Sequence, residues 1–168
     1  MSVDTASLED VRDQFDKIKK QVEDALEQAT DDDLLTAIDP ESNSLVILVK
    51  HMSGNLRSRF TDFLTTDGEK PDRNRDAEFE LTGRPDRTAM ISDWESGWSV
   101  LLATLDALTP ADLLRDVYIR GQRHTVIQAL DRALVHQSHH AGQIVFLVKH
   151  LRSADWKTLS LPRRRSSP

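Results

Sequence analysis

Residues 134–150 read LVHQSHHAGQIVFLVKH, and a helical wheel gives them a clear inner and outer side. At about 100° per residue, His136 and His140 fall about 40° apart, one turn from each other on one face. Ala129, Ala133, Ile144, Leu147 and Leu151 share that face. The segment therefore predicts a core-facing helix over residues 125–150 that carries two imidazoles inward. A buried polar group without a partner costs about 1–3 kcal/mol, so this pair needs an occupant or hydrogen-bond partners.

Working outward, the same helical period recurs. Leu8, Val11, Phe15, Ile18, Val22 and Leu26 form one stripe and predict a first helix over residues 7–28. Thr30 followed by Asp31, Asp32 and Asp33 predicts a capped short piece through residue 37, closed by Asp39-Pro40. Asn43 and Ser44 can cap a second long helix over residues 45–64, with Leu45, Val49, Met52, Leu56, Phe60 and Phe63 as its stripe. A third, over residues 88–108, places Trp94 and Trp98 one turn apart. Thr109-Pro110 caps a short turn to residue 114, and Val117-Tyr118-Ile119 reads as an extended connector too short to found a sheet. Residues 65–87 are polar and rich in Gly, Pro, Asp and Arg, a length unusual for an idle connection and therefore the expected functional loop or lid.

The expected class is all-α, a four-helix bundle with a long loop between its second and third helices. With 168 residues, 38% hydrophobic and 30% charged, the chain can bury one core and is too short for two ordinary ones. We expect a single domain over residues 1–155 and a flexible tail over 156–168. The net charge of −6 argues against nucleic acid as a partner, and the Arg163-Arg164-Arg165 run reads as a solvated tail. No cysteine is present, which excludes disulfides, thiolate ligands and a protein thiol nucleophile, so any thiol chemistry needs a bound small molecule. No run approaches the roughly 18 apolar residues of a membrane span. The acidic start MSVDTASLED lacks a signal pattern, and a cytoplasmic protein is expected.

His-x-x-x-His alone is weak, and no glutamate follows the first histidine as the zincin pattern requires. A third ligand must come from elsewhere. His51 is a candidate, but the wheel sets it on the flank of the second helix's stripe. It reaches the interior only if that flank faces the last helix; otherwise it is a hydrogen-bonded flank residue. His139 points about 60° away from His136 and reads as a surface residue. His124 and His150 match no motif.

Several segments together carry a resemblance. Asn43-Ser44, Lys50-His51, Gly54-Asn55, the run DFLTTDGEKPDRNRDAEFE over residues 62–80, Ile119-Arg120-Gly121, and His136 with His140-x-Gly142-Gln143-Ile144 resemble the DinB/YfiT-like superfamily over residues 8–151. The resemblance implies a four-helix bundle in which a histidine of the second helix and the His-x-x-x-His pair of the fourth bind zinc or nickel. His51, His136 and His140 occupy those positions. It further implies transfer of a low-molecular-weight thiol to a small electrophile in stress defence, or isomerisation with such a thiol; other members are called hydrolases. Three neutral imidazoles would leave a position open, as in catalytic zinc centres.

Around that triad, Gln143 and Asn55 are candidates to hydrogen-bond a ligand ring. Arg132 reads first as a salt-bridge partner and second as an anion binder. Arg75 and Glu78, within the charged run Arg73, Arg75, Asp76, Glu78 and Glu80, are candidates to close over a small-molecule substrate. A hydrolase, or a non-catalytic metal-binding module that dimerises through an apolar helix face, are the competing functions. A cavity opening onto the site separates catalysis from structure.

Overall fold

A computed structural model describes residues 2–81, 83 and 86–161. The Arg163-Arg164-Arg165 run, and the tail from residue 162 on, lie outside the described residues. The chain is mostly helical. Four long helices, α1 (Val3–Leu26), α3 (Leu45–Phe60), α4 (Arg87–Ala107) and α5 (Val126–Arg152), share one apolar core, with the short α2 (Asp31–Leu35) leading into α3. α3 packs along α4, α1 packs along α5, and α5 also meets α3. Among the described residues no helix is long and apolar enough to cross a membrane.

Helix ends follow local chemistry. α1 starts earlier than the apolar stripe alone predicts because the Ser2 hydroxyl accepts from the Thr5 amide, with Asp4 in the first turn. α2 carries a reciprocal Thr30–Asp33 capping box. α3 stops at Phe60 rather than residue 64, since Asp62 turns left-handed at φ 48° and its carbonyl collects the amides of Thr65 and Thr66. A second capping box, Thr125 with Gln128, opens α5 at the expected place.

α3 is the central helix and is buried on several sides, which is why His51, Ser53, Asn55, Ser58 and Arg59 are buried along with its apolar stripe. Its close approach to α4 requires Gly97: a Cβ there would lie 2.7 Å from the Ser53 Cα. Trp94 and Trp98 are both fully buried on α4, ring centroids 5.2 Å apart, and the Trp94 indole donates to Glu23 Oε1.

Two expectations are corrected. The connector after residue 115 does form a sheet: β1 (Asp116–Ile119) pairs antiparallel with β2 (Gln122–Thr125), Ile119 opposite Gln122. Arg120 and Gly121 both take positive φ, the two-residue turn whose twist suits a hairpin. The Asp67 carboxylate fastens that turn by accepting from the Arg120 and Gly121 amides at 2.8 and 2.7 Å. The long polar connection is likewise structured. It contains a 3-10 turn, Asp76–Phe79, packed on α3, and the Lys50 ammonium clamps that turn by donating to the carbonyls of Ala77 and Glu80.

Candidate metal centre

Three imidazoles meet where α3 faces α5. His51 is buried, His136 and His140 half-buried, and one ring nitrogen from each lies within 4.8 Å of the other two. Ring centroids are 5.1 Å apart for His51 and His136, 4.8 Å for His51 and His140, and 4.6 Å for His136 and His140. The flank of α3 that bears His51 thus faces α5.

The outer nitrogens determine what the inner ones can do. His51 Nδ1 lies 2.8 Å from Glu78 Oε2. Burial alone would raise the Glu78 carboxyl, but hydrogen bonds from His51 and Arg73 outweigh it and hold the carboxyl below the usual range. An ionised carboxylate only accepts, so His51 Nδ1 donates to it, and in the neutral tautomer Nε2 is then the lone-pair nitrogen. His140 Nδ1 donates to Gln143 Oε1 at 2.8 Å, which leaves its Nε2 bare as well. Burial, then the neighbouring imidazoles of His140 and His51, push His136 down to about 3. Burial also lowers His140, with Gln143 opposing it. Both rings are therefore neutral near pH 7.

His51 Nε2 and His136 Nε2 face each other at 3.1 Å, a separation that the proton of the neutral His136 ring spans and that a cation could span in its place. Ligands placed tetrahedrally at zinc–nitrogen distance stand about 3.3 Å apart. Neutral imidazoles, two of them oriented through their outer nitrogens, with no acidic group among the inner ones, are a donor set that fits zinc or another borderline transition ion.

Glu78 is built into this centre more deeply than a lid residue. It is buried behind His51, and the Arg73 guanidinium grips it with both arms, Nε to Oε1 at 2.8 Å and Nη2 to Oε2 at 2.9 Å. Room for its carboxylate exists because position 54 is glycine: a Cβ there would collide with Oε1 and sit 2.9 Å from Cδ. Phe79 packs its ring against His51 at 4.7 Å, and Arg75 lies over the outer face of Phe79 at 5.1 Å.

Asn55 is buried with Oδ1 unpaired among the described residues, and it lines a cavity of about 190 Å³ together with His51, His136 and Arg132. Arg132 is exposed and forms no ion pair among the described residues. A larger cavity of about 760 Å³ lies on the other side of Glu78, between α3, α4 and the 66–81 segment. His139 is exposed, His150 stacks on Phe146, and His124 bonds the Gln122 carbonyl, so these three stay outside the centre.

Two residues escape a sequence reading. Arg59 is buried beside the site, and its signal is the i, i+4, i+8 row of His51, Asn55 and Arg59 on α3. Gln137 is fully buried next to His136, its Nε2 3.5 Å from His136 Nδ1 and its Oε1 unpaired among the described residues.

These features define a mostly helical protein with a candidate three-histidine metal centre. A family model described as "Protein of unknown function (DUF1572)" matches residues 2–165, and the chain belongs to that family. No curated protein matches it.

Proposed function

We propose that this protein is a metal-dependent enzyme with a DinB/YfiT-like four-helix bundle, holding zinc or nickel between His51, His136 and His140 and transferring a low-molecular-weight thiol to a small electrophile. The observation that carries the reading is the set of imidazole nitrogens converging from α3 and α5 beside a cavity, with Glu78 and Gln143 holding two of the rings by their outer nitrogens. A divalent ion bound there supplies Lewis acidity, bringing the pKa of a thiol or of water down to the neutral range. The chain's own residues do the rest. Glu78 fixes the His51 tautomer and raises that ring's basicity, and Arg73 keeps Glu78 ionised. Asn55 offers a carbonyl oxygen to a substrate donor. With no cysteine in the sequence, the thiol comes from solution.

The test begins with elemental analysis of the purified protein, expected to give one zinc or nickel per chain. His51→Ala, His136→Ala and His140→Ala should each release the ion or weaken it by orders of magnitude, whereas His139→Ala keeps it. Stoichiometric metal in a His136→Ala, His140→Ala double variant sinks the centre. The metal-loaded protein is then offered thiols with small electrophiles, and separately esters and amides. Turnover confined to the second set replaces transfer with hydrolysis, and none in either returns the protein to a non-catalytic role.

A further inference from the structure

The cavity next to His51 and His136 is walled by five guanidiniums, those of Arg59, Arg73, Arg75, Arg120 and Arg132, drawn from α3, the 66–81 segment, the hairpin turn and α5. Their carboxylate partners are fewer. Glu69 serves Arg59, Arg73 and Arg120 at 3.2–3.4 Å, and Glu78 is taken up by Arg73 and His51. Among the described residues Arg75 pairs only with the exposed Asp76, at 3.5 Å, and Arg132 has no ion pair. Crowding of like charge is felt at Arg59, lowered to about 10 by burial and, against the opposing pull of Glu69, by Arg73, Arg120 and Arg132. In a chain of net charge −6, this is a local excess of positive charge converging on a concave space.

We infer that this cavity receives the anionic group of the substrate, a carboxylate or a phosphate, and so places the rest of that molecule against the three histidines. The inference rests on the proposed function for what happens next, but not for the binding itself. The volume, about 190 Å³, is the share of about six water molecules, which suits an acid group with a short chain. Planar guanidiniums from four elements can grip such a group from several sides, because each presents paired N–H donors to its oxygens. Arg132 and Arg75, left with little or no carboxylate contact, supply the free donors.

Isothermal titration of the metal-loaded, full-length protein at low salt with inorganic phosphate, succinate and neutral succinamide tests this. At least one of the two anions should bind and succinamide should not. An Arg132→Gln, Arg75→Gln double variant, altered only at exposed side chains, should weaken the anion at least tenfold with metal content and thermal midpoint unchanged. Arg12→Gln on α1 should leave binding as it was. Absence of anion binding, equal binding of succinamide, or wild-type affinity in the double arginine variant overturns the inference. The His136→Ala, His140→Ala variant separates it from the metal reading. Anion binding that survives there yet is lost with the arginines supports the pocket even without a metal, whereas binding lost only with the histidines puts the anion on the centre and overturns the pocket.

Discussion

Glu78 and Gly54 form a pair that can be probed from either side. Glu78→Gln keeps the shape but removes the charge that fixes the His51 tautomer and pairs with Arg73. Loss of an outer partner to a ligand histidine costs about 10–100-fold in metal affinity, and a drop of that size is expected in competition with a chelator of known affinity. Gly54→Ala reaches the same end by sterics, since the new methyl displaces the carboxylate. The atom displaced is a side-chain end, and alanine favours a helix by about 1 kcal/mol over glycine, so metal affinity should fall with folding stability held or slightly raised. Gly97→Ala behaves oppositely. There the methyl meets the Ser53 backbone, which cannot yield, and a loss of about 1–2 kcal/mol in urea unfolding is expected with metal stoichiometry unchanged. The histidine pair on α5 is legible in sequence because helical arithmetic puts both rings on a face already marked by Ala133 and Ile144. His51 is less so, because α3 is buried beyond its stripe and a wheel cannot say which flank meets α5. The pairing of Glu78 with His51 spans 27 positions and ends in a polar loop, where no periodicity exists to report it.

At the level of elements, the 66–81 segment is a wall of the site and not a detachable cover. It supplies Glu78 and Phe79, it is clamped by Lys50, and its Gly68 amide donates to the Tyr118 carbonyl of β1. Deleting residues 75–81 should therefore remove metal binding along with any turnover; a deletion variant that keeps full metal affinity would return the segment to the role of a lid. Asp67 is its tie to the hairpin. Asp67→Ala frees two backbone amides of the turn and should cost about 1–2 kcal/mol, read as a lower urea midpoint. The hairpin eluded the sequence because four-residue strands offer too few alternations to stand out, and its second strand, Gln122–Thr125, is all polar. The long helices, the Thr30 and Thr125 starts, and the Thr109–Pro110 turn were legible because caps and apolar stripes are local signals.

For the molecule as a whole, the half-buried neutral histidines of α5, His136 and His140, make stability depend on pH in a definite direction. An unfolded chain protonates His136 as pH falls below 6.5, while the folded one resists until about 3. In that window the unfolded state binds more protons, so acidification favours unfolding. His140 is shifted the same way. Carboxylates such as Glu78, lowered from 4.5, add their loss only at lower pH. The metal-free protein should thus lose stability steadily between pH 6.5 and 5, and His136→Gln should flatten that slope. A urea midpoint independent of pH over this interval would contradict the burial of neutral rings.

One feature of the centre reaches beyond chemistry. Because His51 is joined to Glu78, and Glu78 through Arg73 and the 3-10 turn to the surface, an event at the histidines is mechanically continuous with an outer segment of the chain. Withdrawing the proposed ion with a chelator should loosen that segment before any helix melts. Deuterium uptake at the amides of residues 77–80 should rise while α1 and α4 stay protected, so occupancy of the interior becomes readable, by a protease or a binding partner, from the outside.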